Sequence, residues 1–285
     1  MRYCGRDFTA ADIELIRTQL AADPPPNRAR LSREVCEQLS WRRPDGRLKD
    51  MSCRVALLRM QADGLIALPP PRNGKPVSYR AHPDIEAVVI APATLPQIDL
   101  TQLSVELVST KRDSLLWNTY IQRYHYLGHQ PIPGAQLRYF VRAAGQVIAL
   151  LSFGASAWKT RPRDEFIGWT YEQRPRKLHL IVNNARFLIL PWIRCRNLAS
   201  RVLALTSRRL PQDWQARYAY RPVLLETFVE KPRFTGTCYK AANWVNLGDT
   251  QGRGKLDQFH RNAQAVKSIW VYPLVPDFRH HLCNT

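Results

Sequence analysis

Apolar and polar positions are most sharply organised between Lys177 and Lys255. Leu178–Leu190 is mostly apolar, is too short to span a bilayer, and is closed by Pro191; this is the pattern of a buried strand. Asn197–Leu205 places Leu198, Ala199, Val202, Leu203 and Leu205 on one helical face, and a basic, aromatic link follows. Pro222–Val229 is a second apolar run bounded by proline, which predicts another buried strand. Thr237–Trp244 reads as a short helix, and Gly248–Gly254 as a glycine-broken loop. Strand, helix and strand in that order predict an α/β layer with the helix as a crossover. Polar residues interrupt both runs, Asn183–Asn184 in the first and Glu226 in the second. Buried without partners, each would cost a few kcal/mol, so they demand partners or mark a site.

The N-terminal third has a different pattern. Thr9 caps a predicted helix over Ala10–Ala21, stopped by Pro24–Pro26. Ser32 is expected to begin a second helix, with Glu34 and Glu37 near its start. Met51–Asp63 is a third, with Met51, Val55, Leu58 and Ala62 as its apolar side. Gly64 ends it, and Leu65–Leu68 and Val77–Arg80 are expected to pair as strands around a basic turn, 69–75. Three helices and a basic hairpin is the order of a winged helix, in which the third helix enters the major groove. Arg47, Lys49, Ser52, Arg54 and Arg59 are the contacts expected there, with Arg72 and Lys75 on the wing.

Between these regions, 82–100 is rich in proline and alanine and reads as a linker with one edge strand in Ala87–Ile90. Ser104–Thr119 has helical periodicity. Gln136–Arg142 and Val147–Phe153 predict a β-hairpin. Ala155–Trp169 is a basic segment, 256–267 a polar loop or arm, and Ser268–Leu274 a terminal strand.

Composition sharpens this picture at one point. The 285 residues carry 42 Lys and Arg against 23 Asp and Glu, a net charge of +19. Such a balance points to a polyanion, and DNA is the expected partner. Trp158, Lys159, Arg161, Arg163 and Trp169 mix cations with stacking aromatics, and Arg253 and Lys255 lie on the glycine-broken loop, so both stretches join the expected contact surface. The six cysteines show no metal-ligand spacing and read as reduced, mostly buried thiols of a cytoplasmic protein. No apolar run reaches membrane length and no signal peptide is evident.

Seven separated motifs carry a resemblance: YHYLG at 124–128, RDEFIGW at 163–169, NNARFLILPW at 183–192, NLAS at 197–200, LLETFVE at 224–230, GTCYKAANW at 236–244 and GDTQGRG at 248–254. Together they resemble the Druantia anti-phage system protein A (DruA) family, whose members also occur with transposase domains. The resemblance spans about residues 30–275 and implies a DNA-related role in phage defence or mobile elements. The second half is also similar, more weakly, to the GNAT acyltransferase fold. A GNAT holds acyl-CoA pyrophosphate on a glycine-rich turn at a helix start. The matching turn here, 194–199, has no glycine, and side chains would crowd the approach; acyl-CoA is therefore not expected as a cofactor.

The expected fold is α/β, with an N-terminal winged-helix module (1–81), a linker (82–103) and a GNAT-like mixed α/β domain (104–285). The expected function is DNA binding in an anti-phage or transposon system, with DNA processed by strand cleavage or transfer. Glu226, Asp164 and His125 are the residues that would hold Mg²⁺ or Mn²⁺ for a nickase, endonuclease or strand transferase. Tyr239 is the alternative nucleophile. Each also has a plain reading: His125 packing on its tyrosine neighbours, Asp164 pairing with Arg163, Glu226 neutralising a buried arginine such as Arg186, and Tyr239 a packed aromatic. The rival functions are a non-catalytic DNA-recognition subunit serving a helicase, transposase or other defence subunit, and an acyltransferase.

Overall fold

The computed structural model describes residues 1–43, 46–71, 90, 97–252 and 265–284. It divides into two compact units, Met1–Arg80 and Ala81–Thr285.

The first unit begins with a small hairpin, β1 (Arg2–Tyr3) and β2 (Arg6–Asp7), followed by α1 (Ala10–Leu20), α2 (Arg28–Gln38) and α3 (Asp50–Ala62). Thr9 and Asp12 form a reciprocal capping box at α1. The second helix starts earlier than expected: Asn27 caps it, and Ser32 lies buried inside, its hydroxyl donating to the Ala29 carbonyl. The apolar side of α3 is also corrected. Cys53, Ala56, Leu57 and Met60 face the core with Ile16, Leu31 and Val35, while Met51, Val55 and Leu58 are exposed. Both rows of α3 are apolar, so periodicity alone did not select the buried one. Leu65–Leu68 forms no strand among the described residues; Ile66 is buried, and Arg17 donates to the Leu65 carbonyl. The expected wing residues Arg72 and Lys75, the returning strand 77–80 and most of the edge strand 87–90 lie outside the described residues.

The second unit is built on a seven-stranded sheet. Its elements are β3 (Ser104–Leu107), α4 (Lys111–Tyr124), β4 (Gln136–Ala143), β5 (Gln146–Ala155), α5 (Arg161–Ile167), α6 (Gln173–Lys177), β6 (Ile181–Ile189), α7 (Leu198–Tyr218), β7 (Leu224–Glu230), α8 (Thr237–Ala241), β8 (Val245–Asp249), β9 (Lys267–Pro273) and α9 (Phe278–Cys283). Strand order is β3-β4-β5-β6-β7-β9-β8. Every neighbouring pair is antiparallel except β6 and β7, joined by the crossover helix α7. This is a mixed α/β unit: a hairpin (β4 and β5), the long strand β6 after two short helices, the crossover helix α7, β7 and the short helix α8 that carries Tyr239.

Three expectations are corrected here. Ser104–Leu107 is a strand and the helix starts at Lys111, where Thr110 and Asp113 close a capping box. The crossover helix continues through Pro211 to Tyr218, so the link after Leu205 is helical. Gly248 lies in β8 beside a register irregularity against β9. Of the expected arm at 256–267, residues 256–264 fall outside the described residues, and Lys267 already begins β9.

Successive residues on the central strands point to opposite faces, and both faces are covered. Val182 and Leu225 enter the core formed with α4 and α7. Their neighbours Ile181 and Leu224 pack with Ile167, Trp169, Phe278 and Leu282, at α5 and α9. Strands buried on both sides read as continuous apolar runs, which is why β6 and β7 were visible. Ile90, Ile98, Leu100 and Leu103, from the stretch expected to be a linker, also pack on the larger core.

Candidate functional site

Strands β6 and β7 pair only over Ile181–Asn183 with Leu224–Glu226, then separate. Beside this divergence, β6 carries a bulge: Asn184 faces Phe153 and Arg186 faces Ser152, leaving Ala185 unpaired. The polar residues of the two strands lie here, and they take two different sets of partners.

Glu226 is fully buried on the face that carries Leu224. One carboxylate oxygen accepts from Arg163 at 2.7 Å and the other from the Ala157 N–H at 2.7 Å. Arg163 is fully buried too, and also holds Asp164 through two bonds of 3.0 and 2.7 Å. The second Asp164 oxygen lies 3.4 Å from Arg174. Burial pushes the Glu226 carboxyl up, and Arg163 and the Ala157 N–H pull against it. The two carboxylates proposed to share a metal therefore share a guanidinium. The partner expected for Glu226, Arg186, is replaced by Arg163, which sequence reasoning had assigned to a DNA-contact surface. His125 joins neither carboxylate: it stacks on Tyr126 at 4.8 Å, and burial next to Arg186 lowers its pKa to about 4. No group of three His, Cys, Asp or Glu with metal-holding geometry occurs among the described residues.

On the opposite face, Tyr239 is buried and its hydroxyl donates to Asn184 Oδ1 at 2.9 Å. Asn184 Nδ2 donates to the Ser152 and Arg186 carbonyls, and Thr227 donates to the Asn184 carbonyl at 3.0 Å. These bonds tie the strands together where their ladder has ended. Burial raises the Tyr239 pKa well above the ordinary range, which keeps the phenol protonated and a weak nucleophile.

The expected nucleic-acid contacts are dispersed. Arg54 is held by Asp50 at 3.0 Å and by Ser32 at 3.3 Å. Lys49 and Ser52 are half-buried at the start of α3, while Arg47 and Arg59 are exposed. Lys159 and Arg161 are exposed, Arg161 with a surface ion pair to Glu165. Trp169 is buried with Arg163, but Trp158 is half-exposed, and Arg174 lies 5.6 Å from its ring and 5.1 Å from exposed Tyr171. Arg253 and Lys255 lie outside the described residues. All six thiols are free, but only Cys36 and Cys53 are buried.

Sequence reasoning did not bring together one further group, and missed Arg138 within it. Between α4, the 129–132 loop, β4 and β6 lies a cavity of about 190 Å³ lined by His129, Arg138 and Arg186 among others. Arg138 lies in a strand whose alternation reads as ordinary amphipathic sheet, and nothing in its local pattern distinguishes it.

Fold and site together define a mixed α/β protein with a seven-stranded mixed sheet and a three-helix unit. Residues 63–265 match the family model for Druantia protein DruA, and the chain belongs to that family, which points to anti-phage defence. Among curated proteins no relative matches. Similar solved structures include a probable acetyltransferase from Staphylococcus epidermidis (9% identity, 61% of this chain and 100% of that one, TM-score 0.40). The ribosomal-protein-S18-alanine N-acetyltransferase from Escherichia coli is another (10% identity, 61% and 94% of the two chains, TM-score 0.38). A third is an N-acetyltransferase from Staphylococcus aureus (11% identity, 61% and 98%, TM-score 0.37). At such identities and scores no activity passes to this chain. No helix among the described residues is long and apolar enough to cross a membrane.

Proposed function

We propose that this protein is a DNA-recognition subunit of an anti-phage defence or transposon system, and that a partner subunit such as a helicase or transposase acts on the DNA it marks. The observation that carries this reading is a net charge of +19 in a protein whose best-placed carboxylates, Glu226 and Asp164, are turned inward onto Arg163. The three-helix unit would act as a winged helix, with Arg59 and the exposed apolar row of α3 facing base edges and thymine methyl groups. Trp158 and Tyr171 would offer stacking faces to unpaired bases.

Strand cleavage or transfer is the second reading. It requires Mg²⁺ or Mn²⁺ to displace Arg163 from Glu226, or Tyr239 to leave Asn184. Purified protein incubated with supercoiled and single-stranded DNA, with and without either metal, separates the two. Recognition predicts binding that weakens steeply with salt, because each neutralised phosphate releases counterions, and no nicking. Metal-dependent nicking would promote the catalytic reading; absence of binding at low salt would overturn both. Arg59→Ala should weaken binding more than Arg54→Ala, because Arg54 is already engaged by Asp50.

A further inference from the structure

Arg138 and Arg186 both line the 190 Å³ cavity, and neither has an ion pair with a carboxylate among the described residues. Arg138 is fixed by neutral acceptors instead. It donates to Asn118 Oδ1 at 2.9 Å and to Ser114 Oγ at 2.8 Å, and its guanidinium lies 5.4 Å from the Trp117 ring. Among the described residues the Arg186 guanidinium makes one hydrogen bond, to the Ala185 carbonyl at 2.8 Å. Burial lowers the pKa of both groups, the expected response of a desolvated cation without a counter-ion. Among the described residues the cavity lining contains no Asp or Glu. His129, placed over the cavity when its N–H bonds Gln122 at 2.9 Å, has its pKa lowered by burial and by both arginines.

A half-buried arginine pair costs free energy unless an anion neutralises it. Neutral partners that orient a guanidinium without cancelling its charge leave its remaining N–H groups for a ligand. A planar fork of donors suits phosphate oxygens bidentately. The cavity holds about six waters at their liquid share of about 30 Å³ each. That is below the range of about 300–1,000 Å³ for pockets enclosing a whole drug-sized molecule, so a projecting group is the better fit. An internal phosphodiester continues as chain on both sides; a phosphomonoester ends, and can enter a recess.

We infer that this cavity binds a phosphomonoester, and specifically, building on the DNA reading, the terminal phosphate of a nucleic-acid strand. Arg138 and Arg186 grip the phosphoryl oxygens, Asn118 and Ser114 position Arg138, and Ile121, Pro131 and Ile132 line the same cavity as its apolar wall.

The test is binding of one short single strand prepared with a 5′-phosphate, a 3′-phosphate or hydroxyl ends, measured alongside thermal stabilisation by inorganic phosphate. Expected is a preference of about tenfold or more for one phosphorylated end, the scale of a few hydrogen bonds to a charged group. Arg186→Gln should reduce that preference to within about twofold while the melting temperature stays near wild type; Arg138→Gln, if it folds, should do the same. Stabilisation by inorganic phosphate that Arg186→Gln removes, with strands that do not discriminate, would keep the phosphomonoester chemistry and assign it to a free ligand. Wild-type protein that ignores both end phosphates and inorganic phosphate, yet binds DNA in a salt-dependent way, would overturn the cavity assignment and leave the DNA reading standing. Failure of all strands with intact phosphate stabilisation would do the reverse.

Discussion

Glu226→Gln separates a structural carboxylate from a catalytic one. In the wild type, two fully buried side chains meet at 2.7 Å, and the second Glu226 oxygen takes the Ala157 N–H. Glutamine keeps the shape and can still accept one bond, but it presents an amide where Arg163 or Ala157 offers a donor. Among the described residues the buried guanidinium then keeps the Ala157 carbonyl at 2.8 Å and one carboxylate, Asp164, which is itself shared with Arg174. Removing one partner of a buried ion pair costs about 3–5 kcal/mol. The surviving Asp164 contact argues for the lower end, about 3 kcal/mol. In a unit of this size each kcal/mol moves the melting temperature by about 2–4 °C, so a fall of about 6–12 °C is expected in a thermal scan of the full chain. Urea unfolding should show a lower midpoint with an unchanged slope. Replacing both partners, Arg163→Met with Glu226→Leu, should restore much of the loss, because exchanging a buried pair for apolar side chains is often neutral or stabilising and Asp164 keeps Arg174 at 3.4 Å. A melting temperature within about 2 °C of wild type for Glu226→Gln would refute the reasoning. Loss of metal-dependent nicking in such a stable variant would make Glu226 a metal ligand after all.

The remaining predictions concern other parts of the second unit. His125 has a folded-state pKa near 4 against about 6.5 when unfolded, so its contribution is complete above pH 6.5 and is lost as pH falls from 6.5 towards 4. By pH 5 this removes at most about 2 kcal/mol, with His129 shifted the same way; urea midpoints at pH 7.5 and 5 measure it, and His125→Phe should reduce the difference. Gly236→Ala should destabilise by about 1–3 kcal/mol, because Gly236 has φ +76° and an added Cβ would meet the Trp270 indole at 2.7 Å; a denaturation midpoint equal to wild type would contradict this. Calorimetry with acetyl-CoA should show no micromolar binding, since exposed Arg194 and Arg196 flank a glycine-free turn and Gln97, Ile98 and Leu100 line the same recess.

What was legible in the sequence was what depends on neighbours along the chain. The strands β6 and β7 announced themselves because both of their faces are buried, and Thr9 announced α1 through a local cap. Ser104–Leu107 was absorbed into a helical window because four alternating residues are too few to stand out against the periodic stretch that follows. Pro211 hid the second half of α7, since proline inside a helix ordinarily ends it. The need of Glu226 for a cationic partner was readable from its place in an apolar run, but the identity of that partner was not. Arg163 lies 63 residues away, and only the topology, by setting α5 against the Glu226 face of β7, selects it over Arg186. Arg138 fared worst, because a polar residue at an alternating position looks the same whether it meets water or lines a recess.

The sheet also decides which residues can act together. On β7, Leu224 and Glu226 point to the face covered by α5 and α9, whereas Leu225 and Thr227 point to the face that holds Tyr239 and Asn184. A metal centre on Glu226 with Tyr239 as its nucleophile would therefore need its parts on both sides of a strand. Arg186 follows the bulge of β6 and serves the cavity bounded by α4 and β4, where neither Glu226 nor Asp164 is found. Two independent responses follow. Glu226→Gln should lower stability while leaving the discrimination between phosphorylated and unphosphorylated strand ends within about twofold of wild type, and Arg186→Gln should remove that discrimination with little change in stability. If Glu226→Gln, measured well below its own melting temperature, erased the phosphate preference as fully as Arg186→Gln, the two faces would be coupled and the separation drawn from strand parity would fail.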